Sequence, residues 1–133
     1  MIMDYAEIAF WAGRVLYGGF FVLSGVNHFA KNRAMASYAA SKGVPMARLA
    51  VYGSGLLLLF GGLGVLLWAY IPWAVLALVI FLVVVSFKMH AFWSMQDPNM
   101  KMADMTNFLK NMALLGGALL LLSISPAGGY LPY

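Results

Sequence analysis

The sequence predicts an all-α membrane protein: an antiparallel four-transmembrane-helix bundle with a short interfacial helix in its first loop. Three observations predict it. First, 64% of the 133 residues are hydrophobic and only 9% are charged, against about 25% charged in soluble domains. Second, the acidic residues are Asp4, Glu7, Asp97 and Asp104, so nothing acidic lies between positions 8 and 96. Third, four apolar runs approach the roughly 20 residues that a helix needs to cross hydrocarbon. The runs are continuous rather than alternating, which argues against strands, and an open sheet cannot satisfy its edges in lipid. The whole chain, 1–133, reads as a single membrane domain.

The first segment, about 8–29, begins beside Asp4 and Glu7 rather than after basic residues, and no small-x-small cleavage site follows. It reads as a retained helix, not a secretory leader. Ala30 to Met46 is Ala-rich, and Met35, Tyr38 and Ala39 recur at helical spacing. That pattern predicts a short helix lying on the membrane, ended by Gly43, with Pro45 opening the next. The second segment spans about 49–68 and the third about 71–92. Only Tyr70-Ile71-Pro72 separates them. Pro is favourable in a first helical turn, so the two form an antiparallel hairpin. Asp97-Pro98 then signals a turn and a helix start, and the fourth span runs about 108–125. Gly18 and Gly25, the Gly61, Gly62 and Gly64 group, and Gly116 with Gly117 mark seams where backbones approach closely in lipid.

Basic residues orient the chain. Lys31, Arg33, Lys42, Arg48, Lys88, Lys101 and Lys110 lie on the side of the two long connections, and the other side holds only Arg14. The positive-inside rule puts the long loops in the cytoplasm and both termini outside. The expected location is a prokaryotic inner membrane. Trp11, Trp68, Trp73 and Tyr130 read as outer interfacial anchors and Trp93 as the inner one.

The absence of cysteine excludes disulfides, thiolate chemistry and Cys-ligated metal centres. The net charge of +4 forms no dense basic patch, so nucleic acid is not an expected partner. Four methionines, Met95, Met100, Met102 and Met105, are irregularly spaced and read as interfacial gap-fillers, so no metal site is expected.

Two histidines carry the chemical interest. Ser-x-x-x-His occurs twice, at Ser24–His28 and Ser86–His90, each time where an apolar run meets a polar loop. Each serine shares a helical face with its histidine and is able to fix its tautomer. His90 lies about 27–29 Å along the third helix, near the inner interface. Lys88 is about 200° around the helix from His90, so the two are expected to face different ways. Interfacial polar residues that satisfy loop backbone are one reading. Another is a pocket for a quinone or lipid headgroup, with His28, His90, Asn27, Ser24 and Ser86 as polar groups. Asn107 and Asn111, at i and i+4, enter the membrane on the same side. Bis-histidine haem ligation is chemically allowed. Arg14 is read either as snorkelling outward near Glu7 or as a buried charge contacting a partner. The catalytic residues, if any exist, are unknown.

Several stretches resemble the DoxX family of small four-helix membrane proteins. They are F-F-V-L-S-G-V-N-H-F after Arg14, K-G-V-P at Lys42 to Pro45, G-G-L-G-V-L-L from Gly61, H-A-F-W from His90 with Asp97-Pro98 after it, and F-L-K-N-M-A-L-L-G-G-A-L from Phe108. The resemblance implies a link to membrane subunits of thiosulfate:quinone oxidoreduction or to other redox partners. Many relatives carry a carboxylate early in the second helix, whereas Val51 to Phe60 has none. Arg14 must therefore find its partner in Glu7, a lipid headgroup or another protein. The resulting expectation is an integral membrane subunit of a quinone-linked redox complex, at most one subunit of an oxidoreductase. No cofactor is intrinsic to the chain, and quinone is the one to expect. Its partners would be the lipid bilayer and other membrane subunits. The alternatives are a non-enzymatic accessory subunit or a small transporter or lipid-binding protein.

Overall fold

A computed structural model describes residues 2–124 of the chain. Every regular element among them is helical: α1 (Tyr5–Ala30), α2 (Asn32–Ser41), α3 (Ala47–Leu67), α4 (Ile71–Met89), a 3-10 turn (Phe92–Ser94) and α5 (Pro98–Leu121). Three helices, α1, α3 and α4, are long and apolar enough to cross a membrane. Large apolar side chains face outward along them, among them Leu16, Leu23, Leu56, Leu67 and Val84. An exposed apolar surface of this extent requires lipid rather than water.

The helix starts follow local chemistry. Asp4 caps α1, accepting from the Glu7 backbone N–H at 2.8 Å. Asp97 caps α5, accepting from the N–H groups of Asn99 and Met100 at 2.8 and 3.2 Å. Such a cap satisfies donors that the first turn leaves free. α5 therefore begins at Pro98, ten residues before the expected start of the fourth span. Its predicted end at Ser125 and the expected anchor Tyr130 lie outside the described residues. α4 stops at Met89 rather than at Phe92, because the chain tightens into the 3-10 turn. There Phe87, Phe92, Trp93 and Phe108 pack with ring centroids 5.3–5.9 Å apart. This aromatic knot folds the α4–α5 connection back on itself.

α1 packs along α3, α3 along α4 and α4 along α5, while α2 lies across the start of α3. One core holds Phe21 of α1, Leu58 and Val65 of α3, Val75, Leu78 and Leu82 of α4, and Ala118 of α5. Tyr17 of α1 also donates its hydroxyl proton to the Leu114 carbonyl of α5. The short first-loop helix is present, with Ala36 and Ala39 buried against Val51, Met35 packed beside them and Tyr38 turned outward. Gly43 at φ 79° ends it.

The α1–α3 seam is the tightest contact. A Cβ placed on Gly18 would stand 2.8 Å from the Leu66 nitrogen, and one on Gly62 would stand 2.7 Å from the Val22 nitrogen. The obstructing atoms are backbone, so no rotamer change relieves them. Here small residues set the helix separation, as expected where van der Waals contact replaces the hydrophobic drive.

Candidate functional site

The structure has two chemically distinct ends. At the hairpin end, α3 closes into Trp68 and the chain reverses through Tyr70, both in the left-handed region at φ 54° and 52°. Arg14 sits there. Its Nε and Nη2 donate to the Leu66 carbonyl at 3.1 and 2.8 Å, and its guanidinium lies 4.1 Å from the Trp11 ring centroid. Leu66 is in the last turn of α3, whose carbonyls lack helical partners. The partner that the carboxylate-free second helix could not supply is thus a backbone oxygen, and Arg14 caps a neighbouring helix. A cavity of about 330 Å³ beside it is bounded by Tyr5, Phe10, Gly13 and Trp68.

At the loop end the central residue is Asp104. Because α5 starts at Pro98, Asp104 and Asn111 fall two turns apart on one face, and both are buried. The Asp104 carboxylate joins two other connections. Oδ2 accepts from Lys42 Nζ, the residue that ends α2, at 2.6 Å. Oδ1 lies 3.1 Å from Nδ1 of His90, the residue that ends α4. Burial opposes ionisation of Asp104, but the bonds from Lys42 and then His90 outweigh it and hold its carboxyl below the usual carboxylate range. Burial likewise pulls the Lys42 ammonium down, and the bond to Asp104 leads the interactions that leave it above the ordinary lysine value.

Beside this cluster is a cavity of about 640 Å³. Its walls are apolar, with Phe20, Leu57, Leu58, Phe81, Val85 and Leu114 among them, and its polar lining includes Ser24, His28, Lys88, His90, Lys110 and Asn111. That combination suits a molecule with an apolar body and a polar head.

The sequence-predicted residues divide into two groups. Ser24, His28, His90 and Asn111 line the cavity together. Asn27 is exposed on α1 and does not line it; Ser86 is fully buried and donates to the Leu82 carbonyl of its own helix. Asn107 is half-buried and accepts from Lys110 Nζ at 3.3 Å. Neither serine hydroxyl holds its histidine. His28 Nδ1 lies 2.7 Å from the Ser24 backbone oxygen, and His90 turns to Asp104. Lys88 and His90 were expected on opposite faces, yet both line the cavity. His90 is the C-cap at φ −123° and ψ 39°, so the helical angle no longer applies to it.

Asp104 and Lys42 are the residues that sequence reasoning missed. The available signal was Asp97-Pro98. Taken as the true helix start, it puts Asp104 and Asn111 in helical register. Among the described residues no group of three or more His, Cys, Asp or Glu is placed to hold a metal ion.

A family model described as DoxX matches residues 9–91. The matched stretch contains Arg14, both histidines and Lys42, and ends before Asp104 and Asn111. No curated protein and no solved structure gives a match.

Proposed function

The chain belongs to the DoxX family, and from that premise we propose that it is an integral membrane subunit that receives a quinone in the cavity at its loop end, in the service of a redox complex. One observation supports the reading above others: a cavity of about 640 Å³ with apolar walls and two imidazoles, an amide and lysines in its polar lining. A quinone needs an apolar slot for its tail, hydrogen-bond partners for two oxygens and a proton route near water. In this reading a fourth crossing begins near Phe108 within α5. Both long connections lie in the cytoplasm, where the seven basic residues on that side of the chain favour them. Electrons would come from another subunit, because the sequence holds no cofactor motif of its own.

The test is titration of a short-tailed benzoquinone into the purified protein in nanodiscs. Wild type is expected to bind, and Asn111→Ala, which removes an amide donor from the lining, to lose about fivefold in affinity while remaining folded. Unchanged binding in that variant would remove the cavity from the reading.

One observation favours an accessory role as a second reading. Gly53 and Gly116 are exposed, and nothing stands within 4 Å of where a Cβ would be. These flat places on the lipid-facing surface suit a partner helix. In that case Gly116→Leu would abolish co-purification of a partner without altering quinone binding.

A further inference from the structure

We propose that both cavity histidines carry their proton on Nδ1, and that the cavity therefore prefers a hydroxyl-bearing occupant, a quinol or another phenol-headed amphiphile, over the oxidised quinone. The inference rests on the quinone reading of the cavity and sharpens it.

The tautomers follow from the acceptors. His28 Nδ1 lies 2.7 Å from the Ser24 backbone oxygen. A carbonyl oxygen only accepts, so Nδ1 must hold the hydrogen. His90 Nδ1 lies 3.1 Å from Asp104 Oδ1, and the other oxygen of that carboxylate takes the Lys42 ammonium at 2.6 Å. A carboxylate held ionised by an ammonium also only accepts, and Nδ1 again carries the hydrogen. One arrangement lies within a single helix and the other spans three elements, yet they impose the same result. The Phe81 ring, edge-to-face at 5.9 Å, stands against the His28 imidazole.

A neutral imidazole has one N–H and one lone pair. With Nδ1 committed, each ring has only the Nε2 lone pair to offer, and both rings line the same cavity. A quinone head has two carbonyl oxygens, which only accept, and gains nothing from either lone pair. A quinol head has two O–H groups, each able to donate to an Nε2. Its oxygens still accept, so the nearby Lys88, Lys110 and Asn111 remain useful to it. A hydroxyl serves both kinds of neighbour, whereas a carbonyl serves only the donors. Asp104 is accordingly a positioning residue acting through His90.

Two measurements test this. NMR of protein labelled with ¹⁵N-histidine, in nanodiscs at neutral pH, is expected to show both neutral rings protonated at Nδ1. An Nε2–H ring at either position would overturn the proposal, whatever the ligand. Anaerobic titrations then compare decylubiquinol with decylubiquinone. Two additional neutral hydrogen bonds predict roughly tenfold tighter binding of the quinol. In His28→Phe with His90→Phe, the preference is expected to fall to within about twofold. Equal or tighter binding of the quinone in the wild type would sink this inference alone. Failure of both forms to bind would sink the quinone reading beneath it as well.

Discussion

The two ends of this molecule are closed in opposite ways. At the hairpin end, helix backbone lies against helix backbone. Gly18 and Gly62 bring α1 onto α3, one guanidinium caps the last turn of α3, and a tight reversal leads into α4. At the loop end, side chains hold the connections. Asp104 gathers Lys42 and His90 from two other elements, beside a cavity of about 640 Å³. Backbone contact leaves little space, and the cavity of about 330 Å³ beside Arg14 has about half the volume of the one at the loop end. A cluster of three polar side chains can tie chain segments together while leaving a space next to them, at the cost of burying charge. The comparison gives stability to the first end and, under the proposed function, binding to the second, and substitutions at the two ends should separate those properties.

The largest effect is expected at the seam. In Gly62→Val, the first added carbon would already stand 2.7 Å from the Val22 nitrogen and 3.0 Å from the Gly18 carbonyl oxygen. Neither atom can rotate away. Overpacking typically costs about 1–3 kcal/mol, and here whole helices must separate, so the cost should reach or exceed the upper figure. Thermal unfolding in nanodiscs is expected to show a large loss or no cooperative transition. A mild effect would mean that α1 and α3 have freedom to shift, and the hairpin end would no longer be the rigid one.

Next comes Asp104→Ala. Removing one partner of a buried ion pair costs about 3–5 kcal/mol. The Lys42 side chain retains 14% exposure and can reach water, which argues for about 2–3 kcal/mol. The pH dependence gives a sharper check. The folded Asp104 carboxyl lies below its ordinary value, so its contribution is present above that value and lost as pH falls through the folded one. The folded Lys42 ammonium lies above its ordinary value, so its contribution is present below that value and lost as pH rises through the folded one. The ion-pair part of the difference between wild type and variant should therefore be flat from about pH 5 to 9 and shrink below about pH 4. Quinol binding should fall by more than the stability change alone would cause, because His90 loses its fixed tautomer.

How much of this was legible differs between the ends for a physical reason. The apolar runs announced the three helices that are apolar enough to cross, and Gly18, Gly25, Gly61, Gly62 and Gly64 announced the seams, because both signals are local and repeated; Gly116, expected at a seam, is exposed instead. Pro72 and Gly43 marked their turns for the same reason. The Lys42–Asp104–His90 cluster depends on residues up to 62 positions apart, which no local pattern records. Asp104 also carried a misleading signal, since a lone acid in a polar stretch reads as loop. The Asp97 cap showed otherwise, but helix length is judged from apolar runs, and the first turns of α5 are polar. Serines were read as partners of the histidines because i and i+4 side chains are neighbours on a helix. Within that same spacing the backbone carbonyl of residue i competes, and at Ser24 it wins.

The smallest effect is expected for Arg14→Leu, and it separates the ends most cleanly. Arg14 makes two charged hydrogen bonds to one carbonyl and lies over the Trp11 ring. Bonds of this kind contribute about 1.5–3 kcal/mol when well buried. The residue is only half-buried, and leucine escapes the cost of holding a charge in the membrane, so a net loss of about 1 kcal/mol is expected. Arg14→Lys should recover part of it, because an ammonium can still reach the Leu66 carbonyl but cannot fork onto it. Affinity for decylubiquinone and decylubiquinol should not change in either variant, since Arg14 does not line the loop-end cavity. If Arg14→Leu left stability intact but altered ligand affinity, the guanidinium would be acting on the far end of the molecule. The division between a closing end and a binding end would then fail.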